Sequence, residues 1–206
     1  MKKTTVLLSI LAAVGLMTTT AQAQVRFGVK GGVNLSNYNG LTDAEKTDSE
    51  NLVNFNGGVM MNAPITDDGF FSIQPELLYS GKGIKFKGAG YEAEDRMHYL
   101  DLPILGKINA DGFIFEAGPQ LGYMVSRKGT LTAGGVTAED SDFSGVNRFD
   151  LGYVAGVGYE LDNGLGLGIR YNGGLLKVEK EVAGQEQSNA KNSVIQFQVG
   201  YLFGGK

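Results

Sequence analysis

Apolar and polar residues alternate with a period of two along most of the chain after residue 24. In the last such segment Ile195, Phe197 and Val199 fall on one face, and the glutamines between them fall on the other. A helix would repeat its apolar positions every three or four residues, so this period predicts β-strands. Eight such segments begin near residues 25, 53, 71, 99, 113, 148, 165 and 195. Each is about ten residues long, which is the length that a tilted strand needs to cross a bilayer.

The connections between these segments alternate in length. The short ones carry Asp-Gly or Asn-Gly turn signals and lie at Pro64–Gly69, Asn109–Gly112 and Asp162–Gly164. The long ones are polar and lie at Asn37–Asn51, Gly83–Asp95, Arg127–Asn147 and Val178–Asn192. Transmembrane barrels alternate short periplasmic turns with long extracellular loops. The pattern therefore predicts an all-β fold: one eight-stranded antiparallel transmembrane β-barrel over residues 24–206, with both termini in the periplasm.

Charged residues are confined to one face of the predicted strands. The apolar face carries no charged residue except at its rims. A charged side chain on that face at mid-bilayer would cost about 2–4 kcal/mol, whereas one at the rim is tolerated. The opposite face carries Arg26, Lys30, Glu76, Asp101, Lys107, Glu116, Arg148, Asp150, Glu160 and Arg170. A soluble ligand-binding barrel has the reverse arrangement, an apolar interior and a charged exterior. Since eight strands enclose a space that side chains fill, we expect these ten residues to form a structural charge network that plugs the lumen.

Three prolines fall inside predicted strands. Pro75, Pro103 and Pro119 cannot donate a backbone hydrogen bond, and a closed barrel has no free edge to accommodate them. We expect β-bulges at these positions.

The first residues have the organisation of a secretory signal peptide. Lys2 and Lys3 precede an apolar stretch, and Ala21-Gln22-Ala23 has the small-residue pattern of a cleavage site between Ala23 and Gln24. Removing residues 1–23 leaves 18 − 2 = 16 bases and 22 acids, a net charge of −6. This acidity argues against a nucleic-acid partner. The absence of cysteine excludes thiolate metal sites and thiol nucleophiles.

Candidate chemistry is sparse. His98 is the single histidine, and its parity places it on the outward face near the extracellular rim, without a serine or an acid beside it in sequence. The glycines of 152–158 and 164–168 recur at period two within strands, so they do not form a phosphate-binding loop. The acidic stretches Asp43–Glu50 and Glu139–Asp142 lack calcium-loop spacing. We predict no catalytic residue, no cofactor and no metal site.

Four runs of sequence resemble one known family. They are Tyr99–Lys107 (YLDLPILGK), Phe115–Tyr123 (FEAGPQLGY), Phe149–Tyr159 (FDLGYVAGVGY) and Ile169–Leu175 (IRYNGGL). They are similar to motifs of the outer membrane protein β-barrel family common in Bacteroidetes, also called porin-family or PorT-like. The resemblance implies an OmpX- or OmpA-like barrel in the outer membrane of a diderm bacterium, with no catalytic residues to transfer. Such barrels usually end on an aromatic residue, whereas here Phe203 is followed by Gly204-Gly205-Lys206.

These observations favour a structural or surface-interaction role through the extracellular loops. The expected partners are outer-membrane lipid and lipopolysaccharide, the barrel assembly machinery during biogenesis, and a protein or surface ligand at the loops of a monomeric barrel. A narrow passive channel for ions or small solutes is the second hypothesis. An enzyme acting on membrane lipid is the third, and a role in protein secretion is implied by the PorT-like resemblance alone.

Overall fold

The computed structural model describes residues 24–180 and 188–204. The strands are β1 (Arg26–Asn39), β2 (Ser49–Glu50), β3 (Leu52–Pro64), β4 (Phe71–Gly88), β5 (Tyr91–Ala110), β6 (Phe113–Ala133), β7 (Val136–Asp140), β8 (Phe149–Glu160), β9 (Leu165–Gly174) and β10 (Lys191–Leu202), and the helix is α1 (Asp43–Asp48). The predicted signal peptide, residues 1–23, lies outside the described residues, as do residues 181–187 of the last predicted loop. Within the described ranges no helix is long and apolar enough to cross a membrane.

The long strands pair antiparallel and close into a ring. Their order is β4-β3-β1-β10-β9-β8-β6-β5, and β5 pairs with β4 to complete the circle. The two short strands attach outside this ring, β2 to β4 and β7 to β6. Closure leaves the eight long strands without a free edge, so their backbone groups can be paired even where no water is present. The predicted eight-stranded antiparallel barrel is confirmed.

The wall of the barrel has an apolar exterior and a polar interior. On β10 the side chain of Phe197 is 45% exposed, whereas that of Gln196 is 1% exposed. The same alternation holds on β1, where Val33 faces outward and Asn34 is buried. The period of two therefore sorts the residues as predicted, with the polar set turned toward the lumen.

The three short connections predicted from the sequence lie at one end of the barrel, here called the turn end. They are residues 65–70, 111–112 and 161–164. Asp111 and Gly112 both have a positive φ, 50° and 92°. A two-residue type I′ hairpin turn requires a positive φ at both central residues. The Asn109 side chain accepts a hydrogen bond from the Gly112 amide at 2.9 Å. The opposite end, which carries the long connections, is called the loop end.

Two of the four predicted long loops are wrong, because they consist mostly of strand. Residues 83–95 form the ends of β4 and β5 around a turn at Ala89-Gly90, and residues 127–140 form the end of β6 and all of β7 around Gly134-Gly135. These segments are polar because they lie beyond the apolar wall, where neither face needs to be apolar. Together with β2 they form a sheet, here called the loop-end sheet: residues 49–50, 84–88, 91–96, 127–133 and 136–140.

The expected bulges at Pro75, Pro103 and Pro119 are wrong as well. Pairing of β4 with β5 stops after Pro75↔Ile104 and resumes at Leu78↔Asp101 in the same register. Around Pro103 and Pro119 the β5–β6 and β6–β8 registers are also unchanged, and the shift in the β5–β6 pair lies at His98/Tyr99 instead. Proline lacks a backbone N–H, so each of these prolines removes a hydrogen bond from the sheet. Because the φ of proline suits an extended strand, the strand continues without the extra residue that a bulge would insert.

The apolar exterior generates a test with a matched control. Val33 lies midway along β1 and faces outward, so Val33→Arg should destabilise the barrel in lipid by about 2–4 kcal/mol. Val136→Arg is the same substitution on the loop-end sheet, where the valine is 73% exposed, and should cost almost nothing. Reversible urea unfolding in vesicles measures both. An equal effect of the two substitutions would contradict the assignment of the wall to lipid.

Candidate functional site

The lumen contains an ion cluster near the turn end, here called the turn-side cluster. Its centre is Arg170, whose guanidinium donates from Nη1 to Glu76 Oε2 at 2.7 Å and from Nη2 to Glu116 Oε2 at 2.9 Å. Lys30 Nζ donates to the second oxygen of Glu76, also at 2.7 Å. Burial of such charges requires this degree of pairing, since an unpaired ion in the lumen would lose its hydration without compensation.

A second group of charges joins this cluster closer to the turn end. Lys107 Nζ lies 2.5 Å from Glu160 Oε2, and Arg26 Nη2 lies 3.0 Å from the other oxygen of Glu160. Gln74 links the two groups, because it accepts from Lys107 and donates to Glu76. The turn-side cluster thus comprises Arg26, Lys30, Glu76, Lys107, Glu116, Glu160 and Arg170.

Glycine on β8 makes room for these long side chains. A Cβ atom at Gly156 would lie 2.8 Å from Cγ of Arg170 and 3.0 Å from a carboxylate oxygen of Glu116. Below the cluster, inward glycines of β8, β9 and β10 leave a cavity of about 60 Å³. A water molecule needs roughly 10–15 Å³ of such space, so the cavity accommodates a few waters.

Three charges form a separate group toward the loop end, here called the loop-side cluster: Lys82, Asp101 and Asp150. Lys82 Nζ lies 3.0 Å from Asp101 Oδ1 and 3.3 Å from Asp150 Oδ2, and 4.3 Å from the centre of the Tyr99 ring. Asn192 Nδ2 donates to Asp150 Oδ2 at 2.9 Å. All three charged side chains are buried.

Amide and hydroxyl side chains fill other inward positions on β1, β3, β4 and β10. Asn56 donates to Asn34 at 2.6 Å, Gln198 donates to Asn56 at 3.0 Å, and Asn34 donates to the Ser80 hydroxyl at 3.0 Å. These side chains satisfy one another without adding charge to the lumen.

Apolar side chains pack at the loop end of the lumen. Two clusters of buried residues meet at Tyr38, which packs against both. One contains Met97, Tyr99, Met124, Val146 and Val178, and the other contains Leu41, Ile84 and Ala190. This apolar cap and the ion clusters beneath it occupy the interior of the barrel.

Nine of the ten side chains predicted for the lumen lie in the two ion clusters, and Arg148 does not. It precedes β8, is exposed, and donates to the Met124 carbonyl at 3.1 and 3.2 Å. Its guanidinium carbon lies 4.8 Å from the ring centres of both Tyr123 and Phe143. Strand parity does not govern a residue that comes before the strand begins at Phe149, so the side chain turns to the rim instead.

Lys82 is not among the ten residues predicted for the lumen, although the sequence carries a signal for it. The inward positions of β4 are Ser72, Gln74, Glu76, Leu78, Ser80 and Lys82. Extending the same parity beyond Tyr79 would have found it. Gly81 and Gly83 flank the lysine, and glycines of this kind are typical of a loop, so they obscure the continuation of the strand.

His98 faces outward from β5, as its parity predicted. Its ring stacks on Tyr79 with centres 5.2 Å apart and lies 6.1 Å from Phe55. Its Nδ1 atom is buried, and among the described residues it has no hydrogen-bond partner. A histidine in an aromatic wall, without a hydroxyl or carboxylate bound to it, lacks the nucleophile–base geometry of a hydrolytic site.

The acidic stretches of the loop end have partners within the protein. In α1 the Thr42 hydroxyl and Glu45 form a capping box, and hydrogen bonds from Thr42 lower the pKa of the Glu45 carboxyl. Glu139 pairs with Lys128 at 2.7 Å. Hydrogen bonds from the hydroxyl and amide of Ser144 lower the pKa of the Asp142 carboxyl. Over residues 24–180 and 188–204, no three His, Asp or Glu side chains are grouped to hold a metal ion.

Comparison with solved structures finds other small barrels of the outer membrane. Ail, the attachment invasion locus protein of Yersinia pestis, is 11% identical, with a TM-score of 0.49 over 89% of this chain and 100% of that one. Neisserial surface protein A is 14% identical, with a TM-score of 0.49 over 85% and 96%. OprG from Pseudomonas aeruginosa is 12% identical, with a TM-score of 0.41 over 89% and 98%.

Sequence comparison gives the family directly. No curated protein sequence matches the chain. The family model for the outer membrane protein beta-barrel domain matches residues 20–179, which is most of the chain and includes seven of the eight long strands. The closed ring, the apolar exterior and this match agree, and the chain belongs to the outer membrane protein β-barrel family and resides in the outer membrane.

Proposed function

We propose that this barrel is a non-catalytic surface-interaction protein that acts through its loop end and passes no solute. The observation that carries the proposal is the loop-end sheet. β4, β5 and β6 have 18, 20 and 21 residues, whereas β8, β9 and β10 have 12, 10 and 12. A tilted strand crosses a bilayer in about 9–11 residues. The three long strands therefore extend well beyond the membrane on one side of the barrel.

Ion pairs across neighbouring strands stiffen the loop-end sheet. Lys85 pairs with Glu92 at 2.8 Å, and Arg127 pairs with Asp95 at 3.0 Å. A rigid sheet loses less conformational entropy than a flexible loop when a partner binds, which favours binding at the loop-end sheet.

The hairpin of β6 and β7 is the part of this sheet best suited to contact a partner. Leu131 is 50% exposed and Val136 is 73% exposed, although both lie outside the apolar wall. Among the described strands β7 pairs with β6 alone, so its other edge has backbone groups available to an incoming strand or surface ligand. The partner we propose is a protein or another extended surface ligand.

The rim next to β8 supports lipopolysaccharide as the lipid partner. Arg148 is exposed and held in place by the Tyr123 and Phe143 rings, at the level where the apolar wall ends. A fixed guanidinium at this height suits the phosphate groups of an anionic lipid.

The closed ring has no unpaired long strand, in keeping with a monomer that the barrel assembly machinery inserts.

The channel hypothesis is weaker because the lumen is blocked twice. The turn-side cluster spans the interior through Arg170, and the apolar cap fills the loop end. The lipid-enzyme hypothesis is weaker because His98 contacts aromatic rings rather than a nucleophile or an acid.

The orientation of the barrel in the membrane can be tested by labelling single introduced cysteines, because the native chain contains none. Val136→Cys on the β6–β7 hairpin should react with a membrane-impermeant maleimide in intact cells. Asp67→Cys, in an exposed turn at the turn end, should react only after the outer membrane is permeabilised. The reverse pattern of labelling would mean that the loop end faces the periplasm, and the proposal would then have no basis.

Surface interaction can be tested by adhesion of cells that express the protein. We expect cells with the barrel to adhere to a hydrophobic coated surface at least several-fold better than cells without it. Leu131→Ser combined with Val136→Thr should abolish the difference because it removes the exposed apolar contacts. Thr130→Ala on the same hairpin is the control and should leave adhesion unchanged. Equal adhesion with and without the barrel would refute the proposed role.

Absence of conduction can be tested in planar bilayers. The native protein should give no steady conductance steps. Arg170→Ala should also remain closed, because the apolar cap stays in place when the ion cluster is broken. A heat-dependent band shift on SDS gels verifies that each protein is folded. Steady steps from the native barrel would favour the channel hypothesis instead.

A further inference from the structure

The loop-end sheet has one apolar face and one charged face. Residues directly opposite each other on paired strands lie on the same face of a sheet. Two rows that run across β4, β5, β6 and β7 are apolar: Phe86, Ala93, Leu131 and Ala138, and Gly88, Tyr91, Ala133 and Val136. The rows of the other face are polar: Lys85, Glu94, Thr130 and Glu139, and Lys87, Glu92, Thr132 and Thr137. The sheet is therefore amphipathic although it lies outside the lipid.

The cover over the apolar face stops halfway across the sheet. Phe86 on β4 packs against one of the two buried clusters of the apolar cap. Toward β7 the same face is bare, since Leu131, Val136 and Ala138 are all exposed. The face continues the inward side of β4, so it looks over the loop-end opening of its own barrel. A neighbouring barrel in the same membrane lies behind the charged face and cannot cover it.

The outer edge of β7 has backbone groups available for pairing. The turn Gly134-Gly135 has φ values of 56° and 80°, as a two-residue type I′ hairpin requires. In such a hairpin the residues that flank the turn, Ala133 and Val136, exchange hydrogen bonds, and bonded and non-bonded pairs then alternate along the strands. The N–H and C=O groups of Thr137 and Glu139 therefore point away from β6. Among the described strands, only β6 pairs with β7.

The charges beside this edge favour a basic partner. The carboxylates of Glu139 and Asp140 are 58% and 63% exposed, although each also lies near a base on β6. A second copy of β7 would place like charges side by side, which destabilises a strand pair. A residue opposite Glu139 would lie on the charged face, and a residue opposite Ala138 would lie on the apolar face. The edge thus suits a strand in which basic and apolar side chains alternate.

We propose that the free edge of β7 binds an extended segment of another protein in which apolar residues alternate with lysine or arginine. This inference rests on the proposed function and specifies the partner of the loop-end sheet. The segment pairs with the backbone groups of Thr137 and Glu139. Its basic side chains lie beside Glu139, and its apolar side chains extend the bare face at Val136 and Ala138. In strand addition of this kind, main-chain hydrogen bonds give affinity and the alternating side chains give specificity.

The test measures binding of synthetic peptides to the barrel in nanodiscs of phosphatidylcholine, a lipid without net charge that does not attract a basic peptide. The probe is fluorescently labelled acetyl-KVKVKVK-amide. The control peptide, acetyl-KKKKVVV-amide, has the same composition without the alternation. We expect the probe to bind more tightly than the control by about tenfold or more, because only the probe can place its lysines and valines on opposite faces.

Three variants make the test specific. Thr137→Pro removes an N–H from the free edge and leaves the bonds between β6 and β7 intact, since the φ of proline suits an edge strand. It should weaken binding of the probe by about tenfold. Thr137→Val keeps the N–H and should bind as the native barrel does. Glu139→Lys should reverse the charge preference, so that acetyl-EVEVEVE-amide binds more tightly than the probe, a result that misfolding cannot produce.

Amide hydrogen exchange locates the bound peptide. In the free barrel the amides of Thr137 and Glu139 should exchange freely, whereas the amide of Ala138 should be protected because it bonds to Leu131. Saturation with the probe should slow exchange at Thr137 and Glu139 by about tenfold or more.

Three results would overturn the proposal. Equal binding of the two lysine peptides would mean that composition alone is recognised. Binding that is insensitive to Thr137→Pro and leaves the edge amides unprotected would place the peptide elsewhere. Failure of the probe to bind the native barrel would mean that the edge takes no strand. In each case the adhesion assay decides the surface role separately, because cells with the barrel would still adhere better than cells without it if that role is correct.

Discussion

Closure of the eight long strands into a ring is the constraint on which the rest of this structure depends. Within a bilayer no water is available to backbone N–H and C=O groups, so a sheet can cross only when its first and last strands meet. Here the first and last long strands of the chain, β1 and β10, pair from Gly28↔Leu202 to Asn39↔Lys191. Once the ring has closed, each strand has one face toward lipid and one toward a narrow interior, and the period of two in the sequence decides which side chain goes where.

The contents of the lumen follow from that division. Charges excluded from the lipid face must lie inside, and eight strands leave too little space for them to be hydrated separately. They are therefore paired, with Arg170 between Glu76 and Glu116 and Lys82 between Asp101 and Asp150. Glycines opposite these side chains, such as Gly156, provide the volume. The same crowding supports the proposal that the barrel passes no solute and acts through its loop end.

The sequence predicted the wall and the turns well, and the parts beyond the wall poorly. Asp111-Gly112 forms the expected turn, and Phe197 and Gln196 face the expected sides. Residues 83–95 and 127–140 were predicted as loops because strands outside lipid need no apolar face, so they lack the signal that marks the wall. The pattern does not identify Lys82 and misplaces Arg148 for a related reason: both lie where the apolar alternation of a strand ends or begins.

By itself the sequence determined the fold class, the inward and outward faces, and nine of the ten charged residues in the two lumenal clusters, because these depend on a local alternation imposed by lipid. Only the tertiary structure decided which acid pairs with which base. Arg170 and Glu76 are 94 residues apart in the chain and meet across the barrel. Such contacts depend on strand order, register and the tilt of the closed ring, and a local pattern contains none of these.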